Sequence, residues 1–161
     1  MARPLYYQSE TTQIGQLNNR VDTLERRQAV TGAYQIKVFA DDEEIETGNG
    51  AFIFAIPYDL DRSRLESCNI YITTVSSSGL VTVMIRNVSE GFDMLLTPLT
   101  IDVGELNAET AATPAVIDDE MADEFAYPYR NNTVFYTNQI AIDVDAAGTG
   151  AMGLGVMLGF A

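Results

Sequence analysis

Apolar positions set two different rhythms along the chain. Between residues 12 and 31, Ile14, Leu17, Val21 and Leu24 recur at alternating intervals with polar residues between them, as at the a and d positions of two heptads. Thr11 or Thr12 is placed to cap the start and Gly32 to stop the helix. The spacing predicts a short amphipathic helix over 12–32. Two heptads rise only about 25 Å, and a helix of that length is marginal alone, so its stripe needs a partner surface. From residue 33 the rhythm shortens to strand-like runs at 33–40, 51–56, 68–75, 81–88, 95–102, 133–137, 139–145 and 152–160. Breakers such as Gly48-Asn49-Gly50, Pro57 to Asp61 and Ser76 to Gly79 separate them. Eight short strands predict a mainly β, sandwich-type body over 33–161. The segment Asp118 to Ala126 has room for one or two helical turns before Pro128.

Alternation sharpens two of these strands. Cys68, Ile70 and Ile72 fall on one face and Asn69, Tyr71 and Thr73 on the other, so Cys68 reads as a small core residue and not as a reactive thiol. In the last strand Leu154, Val156, Leu158 and Phe160 alternate with Gly153, Gly155, Met157 and Gly159. One face is bulky and the other nearly bare, and a bare face admits close approach, either by a second sheet or by a neighbouring subunit.

Two surfaces can cover the helical stripe: the β body itself, or further copies of the chain. Charge placement favours copies. With Val21 at a, Arg20 sits at g and Glu25 at the following e, the spacing of interchain ion pairs in parallel coils. Arg20 to Glu25 also resembles the R-h-x-x-h-E pattern of short trimeric coiled coils, whereas a β-branched residue at a with Leu at d favours two strands. The helix alone leaves dimer and trimer open. Ile14, Leu17, Arg20, Val21, Leu24 and Glu25 are the expected oligomerisation residues.

Composition narrows the function. The 161 residues are 47% hydrophobic and 20% charged, with mean hydropathy +0.01, which excludes wholesale disorder. One Cys excludes a disulfide scaffold, and the absence of His removes the commonest general base and transition-metal ligand. No apolar run approaches the ~20 residues of a membrane helix. The N-terminus lacks a signal-peptide core, so secretion by that route is not expected. Net charge is −14, yet residues 1–30 carry four Arg against three carboxylates, leaving −15 on the remainder. That field repels phosphate backbones, so no nucleic-acid partner is expected.

Motifs that suggest chemistry have structural readings. Gly148-Thr-Gly150-Ala-Met-Gly153 matches G-x-G-x-x-G, but only eight residues follow it, too few for a dinucleotide fold, so a tight turn between two strands is expected. The acidic clusters at Asp41 to Glu46, Asp59 with Asp61, Asp118 to Glu120, and Asp143 with Asp145 lack EF-hand spacing and read as solvated loops. Without Trp to stack sugars, and without His beside Ser76 to Ser78, neither glycoside hydrolysis nor nucleophilic catalysis is expected. The sequons at Asn87 and Asn131 read as accidental. No enzyme, metal or cofactor is predicted.

Four runs carry a resemblance: Thr74 to Val88, Asp93 to Glu105, Ala111 to Asp118 and Ile142 to Val156. Together they resemble a β domain of tailed-bacteriophage structural proteins, found in capsid decoration proteins, head fibres and tail-associated proteins, over roughly residues 50–161. The resemblance implies a jelly-roll-like antiparallel sandwich in a homotrimer, without catalysis. Residues 1–11 lie outside it and read as an attachment arm, in which Arg3, Leu5, Tyr6 and Tyr7 offer cationic, apolar and aromatic groups of a kind found at interfaces. The expected role is a capsid decoration (cement) protein on the virion surface, binding the major capsid protein. A fibre or receptor-binding protein contacting the host surface is the alternative. A membrane partner is not expected.

Overall fold

A computed structural model describes residues 32–123 and 127–161, with the backbone alone for residues 121–123, 127 and 128. Twelve strands follow in chain order: β1 (Gly32–Lys37), β2 (Gly48–Ala55), β3 (Leu65–Tyr71), β4 (Val81–Asn87), β5 (Phe92–Asp93), β6 (Leu95–Thr97), β7 (Leu99–Ile101), β8 (Val116–Ile117), β9 (Met121–Asp123), β10 (Tyr127–Arg130), β11 (Gln139–Ala147) and β12 (Gly155–Phe160). Among the described residues the helical content is one 3-10 turn at Tyr58–Leu60. The predicted arm and helix, with Arg3, Leu5, Tyr6, Tyr7, Ile14, Leu17, Arg20, Val21, Leu24 and Glu25, lie outside the described residues.

All pairings are antiparallel. One sheet has the order β1-β12-β3; the other has the order β2-β11-β4, with β5 and β7 sharing the far edge of β4. Small ribbons β6/β8 and β9/β10 complete the body. The pairing is nested: β1 joins β12, β2 joins β11, and β4 joins β7, while β3, paired with β12, also approaches β7 and β8.

Period-two patterning sets the faces. Along β4, Val81, Val83, Ile85 and Asn87 are buried while Thr82, Met84 and Arg86 are partly exposed. Ile36, Ile70, Val156, Leu158 and Phe160 of the first sheet enter one hydrophobic cluster with Val83, Ile85, Ile140 and Ile142 of the second. Two antiparallel sheets thus share one core, the arrangement of a β-sandwich.

Gly32 begins β1, paired with Phe160, and the space a Cβ would fill there lies 3.1 Å from Leu60; the helix it was expected to stop lies outside the described residues. Three local expectations are corrected. The predicted strand 95–102 divides at Pro98, which has no N–H for a ladder, and its halves go to different partners, β8 and β4. The predicted strand 133–137 is a loop held by Val134 to Ser63 bonding, despite its β-prone composition. Within the segment read as one or two helical turns, residues 121–123 form a strand paired with β10.

Candidate functional site

The bulky face of β12 turns inward and its bare face outward. Val156, Leu158 and Phe160 point into the core, so the second sheet packs on the bulky row and not on the glycines. Outside, the Tyr71 ring occupies the space above Gly155 and the Ser67 hydroxyl that above Gly159, so side chains of β3 fold across the central strand. Gln35 Nε2 donates to the Tyr71 hydroxyl at 2.7 Å, and Lys37 Nζ stands 5.2 Å from the ring centroid. Beside them an open trough runs between Ala33, Gln35, Asn69, Met157 and Gly159. Cys68 borders it, half-buried, with its thiol pushed up to about 11 by desolvation, which keeps it protonated and unreactive at neutral pH.

The glycine motif is a turn, as its sequence context implied. Gly148, Gly150 and Gly153 all have positive φ, and the backbone leads directly into β12. Ser76 Oγ accepts from Thr149 N at 3.1 Å and lies 2.6 Å from where a Gly148 Cβ would stand. These glycines admit a close backbone crossing.

Several of the acidic residues that the sequence left on loops have structural partners. Asp143, on β11, is buried beneath Arg86: Nε donates to Oδ2 at 2.7 Å and a second guanidinium nitrogen to Oδ1 at 3.3 Å. Gly50 N also donates to Asp143 Oδ1. The hydrogen bond from Arg86 to Asp143, and then the charge of that carboxylate, raise the Arg86 pKa, so the guanidinium stays charged. Asp118 accepts from Asn131 Nδ2 at 2.8 Å and Glu120 N at 3.0 Å. Asp61 Oδ1 accepts from Tyr136 N at 2.9 Å. Among the described residues no three Asp, Glu or Cys side chains converge as a metal site would require.

The most elaborated region is the end of the sandwich where β4 finishes at Asn87. Three loops meet there, 56–64, 88–91 and 131–138, and buried polar side chains knit them together. Asn138 Oδ1 accepts from Asn87 Nδ2 at 3.2 Å and from Phe135 N at 2.8 Å, while its Nδ2 donates to Glu90 Oε1 at 3.2 Å. Asn132 Nδ2 donates to Leu65 O at 3.0 Å, and its Oδ1 is buried without a partner. Asn87 is fully buried, so its sequon cannot be an acceptor in the folded chain.

On this base stand Tyr58 and Tyr136, 77% and 53% exposed, with ring centroids 5.6 Å apart and planes at 80°. Nine described residues have positive φ; seven are glycine, and the other two, Arg62 (+65°) and Thr137 (+70°), sit in the loops that present this pair. A left-handed conformation costs a residue with a Cβ about 1–2 kcal/mol, and a β-branched residue adopts it rarely. It is imposed by the bonds around it: Arg62 N donates to Val134 O at 2.8 Å, and Thr137 N to Ile56 O at 3.0 Å.

Tyr58 and Tyr136 were not legible as a site. Tyr58 lies in a run of turn residues and Tyr136 in one that reads as a strand; only the fold joins them. No family model, curated protein or solved structure matches this chain.

Proposed function

We propose that this chain is a virion structural protein of a tailed bacteriophage, a capsid decoration protein that binds and stabilises the major capsid shell as a homotrimer. The observation that carries the reading is the nested strand order. Orders β1-β12-β3 and β2-β11-β4-β7, with successive strands β1 to β4 alternating between sheets, are what a long hairpin gives when it rolls up into a jelly roll. That topology agrees with the one implied by the sequence resemblance of residues 50–161. The acidic body, net −15 outside the first thirty residues, suits a solvent-facing ornament, and the near-neutral arm with Arg3, Leu5, Tyr6 and Tyr7 suits docking. Preferential binding to the mature shell would stabilise that state by mass action.

Immunogold electron microscopy of the source virions, with an antibody to residues 32–161, tests this. Label spread over the head is the expected result. Label confined to the tail would replace the reading with a fibre or receptor-binding role. Removal of residues 1–10 is expected to abolish shell occupancy while leaving the native mass of the oligomer unchanged.

A further inference from the structure

We propose that Tyr58 and Tyr136, with Asp59, Asp61 and Arg62, form a binding site for a neutral carbohydrate. Four observations meet at this place. Two tyrosine rings, packed edge to face on each other, stay largely exposed to solvent instead of entering the core. Charged residues follow Tyr58 in the same loop: Asp59 is exposed, and Asp61, about one-third exposed and bonded to Tyr136 N, lies 3.7 Å from the guanidinium of the mostly exposed Arg62. The backbone at Arg62 and Thr137 is held in a left-handed conformation that, among the described residues, is otherwise taken only by glycine. Beneath lies the network of Asn87, Asn132 and Asn138, which fixes both loops before any ligand arrives.

The chemistry of these groups selects the ligand class. The C–H face of a pyranose packs on an aromatic ring, and its hydroxyls are met by carboxylates as acceptors and by a guanidinium as donor. Asp61 has Oδ1 engaged by Tyr136 N and Oδ2 at 3.7 Å from Arg62 Nε, so an acceptor and a donor are held side by side next to Tyr136. Two carboxylates in the loop that carries Tyr58, on a chain of net charge −14, disfavour sulfated or sialylated sugars. A protein hot spot calls for a water-excluding surround. Here the surround is charged, and the aliphatic side chains Val75, Leu80, Val103 and Leu106 that would suit such a surround are exposed in loops at the other end of β4.

The test titrates the full chain with a panel of neutral glucose-, galactose-, mannose- and N-acetylglucosamine-containing oligosaccharides, followed by saturation-transfer NMR and tyrosine fluorescence. Saturable binding of at least one is expected, weakened tenfold or more by Tyr58→Ala and by Tyr136→Ala and within threefold of the parent in Tyr58→Phe. Leu106→Ser, at the other end, should leave it unchanged. Both tyrosines are exposed, so the variants should keep the parent's Tm, which is measured alongside. The proposal is overturned by no saturable binding up to 10 mM of any panel member, or by binding indifferent to both alanine substitutions. It is equally overturned if the alanine variants lose shell binding while the parent binds no sugar, which would assign the pair to a protein contact.

Discussion

The two ends of the sandwich meet the same demand, sharp reversals between antiparallel strands, by different means. At the end where β4 begins, reversals and crossings rest on glycine: Gly79, Gly104, Gly148, Gly150 and Gly153 take positive φ, and hydroxyls of Ser76, Ser77 and Ser78 bond to neighbouring loops. At the end where β4 finishes, Gly91 is joined by two residues that pay no heed to that preference, Arg62 and Thr137, held in place by buried asparagines. Glycine meets the geometry at low steric cost. The asparagine-knitted end accepts strain and in return fixes two exposed aromatic rings, and strain retained where glycine would remove it marks a place under a demand other than folding.

Substitutions sharpen or break this contrast, and the largest effect is expected at the glycine end. In Gly153→Ala the new Cβ would meet Asp41 Cα at 3.0 Å and crowd the Thr73 hydroxyl at a φ of +71°. Strain and overpacking together predict a loss of about 2–5 kcal/mol, read as a lower urea midpoint at unchanged slope. At the other end, Asn138→Ala removes the acceptor of both Asn87 Nδ2 and Phe135 N. Two buried donors left unpaired predict a loss of about 2–4 kcal/mol in the same measurement. A loss near zero would show that the asparagines do not hold that end.

Thr137→Gly is expected to work in the opposite direction. Relief of about 1–2 kcal/mol of left-handed strain, less glycine's added entropy of about 0.5–1 kcal/mol, predicts a gain of up to about 1.5 kcal/mol. A loss would mean that Thr137 is not strained in the sense argued. The smallest effect concerns Asp145, an exposed residue of β11 whose pKa is raised by partial desolvation and then by the carboxylates of Asp143 and Asp93. The folded state therefore holds this proton more tightly than the unfolded chain, and ionisation costs stability as pH rises through the raised value. Asp145→Asn should raise Tm slightly at pH 7, with the gain fading as pH falls through the carboxylate range. A gain independent of pH would point to a cause other than charge.

Much of the body was legible because period-two patterning leaves few alternatives. The bulky row of β12, the inward Ile70 and Ile72, and the breaker-bounded β4 follow from alternation alone. Partner choice did not follow from it. Leu95 and Leu99 read alike, yet Pro98 sends one to β8 and the other to β4. Thr133 to Thr137 has strand-prone side chains, but the network around Asn132 and Asn138 bends it into a loop, a tertiary override that no local window contains. The same override hid the tyrosine pair, whose members come from segments far apart in the chain.

The nested pairing also governs when the body can form. Gly32 finds its ladder partner only in Phe160, and β12 is the strand that separates β1 from β3. A ribosome making this domain has therefore released nearly all of it before the first sheet can close, so folding is concerted and late instead of proceeding strand by strand. Such long-range topologies fold on the order of milliseconds to seconds. During that interval neither β1 nor β3 has its ladder partner, a vulnerability to cross-pairing that is halved when β12 enters between them and leaves each with one paired edge.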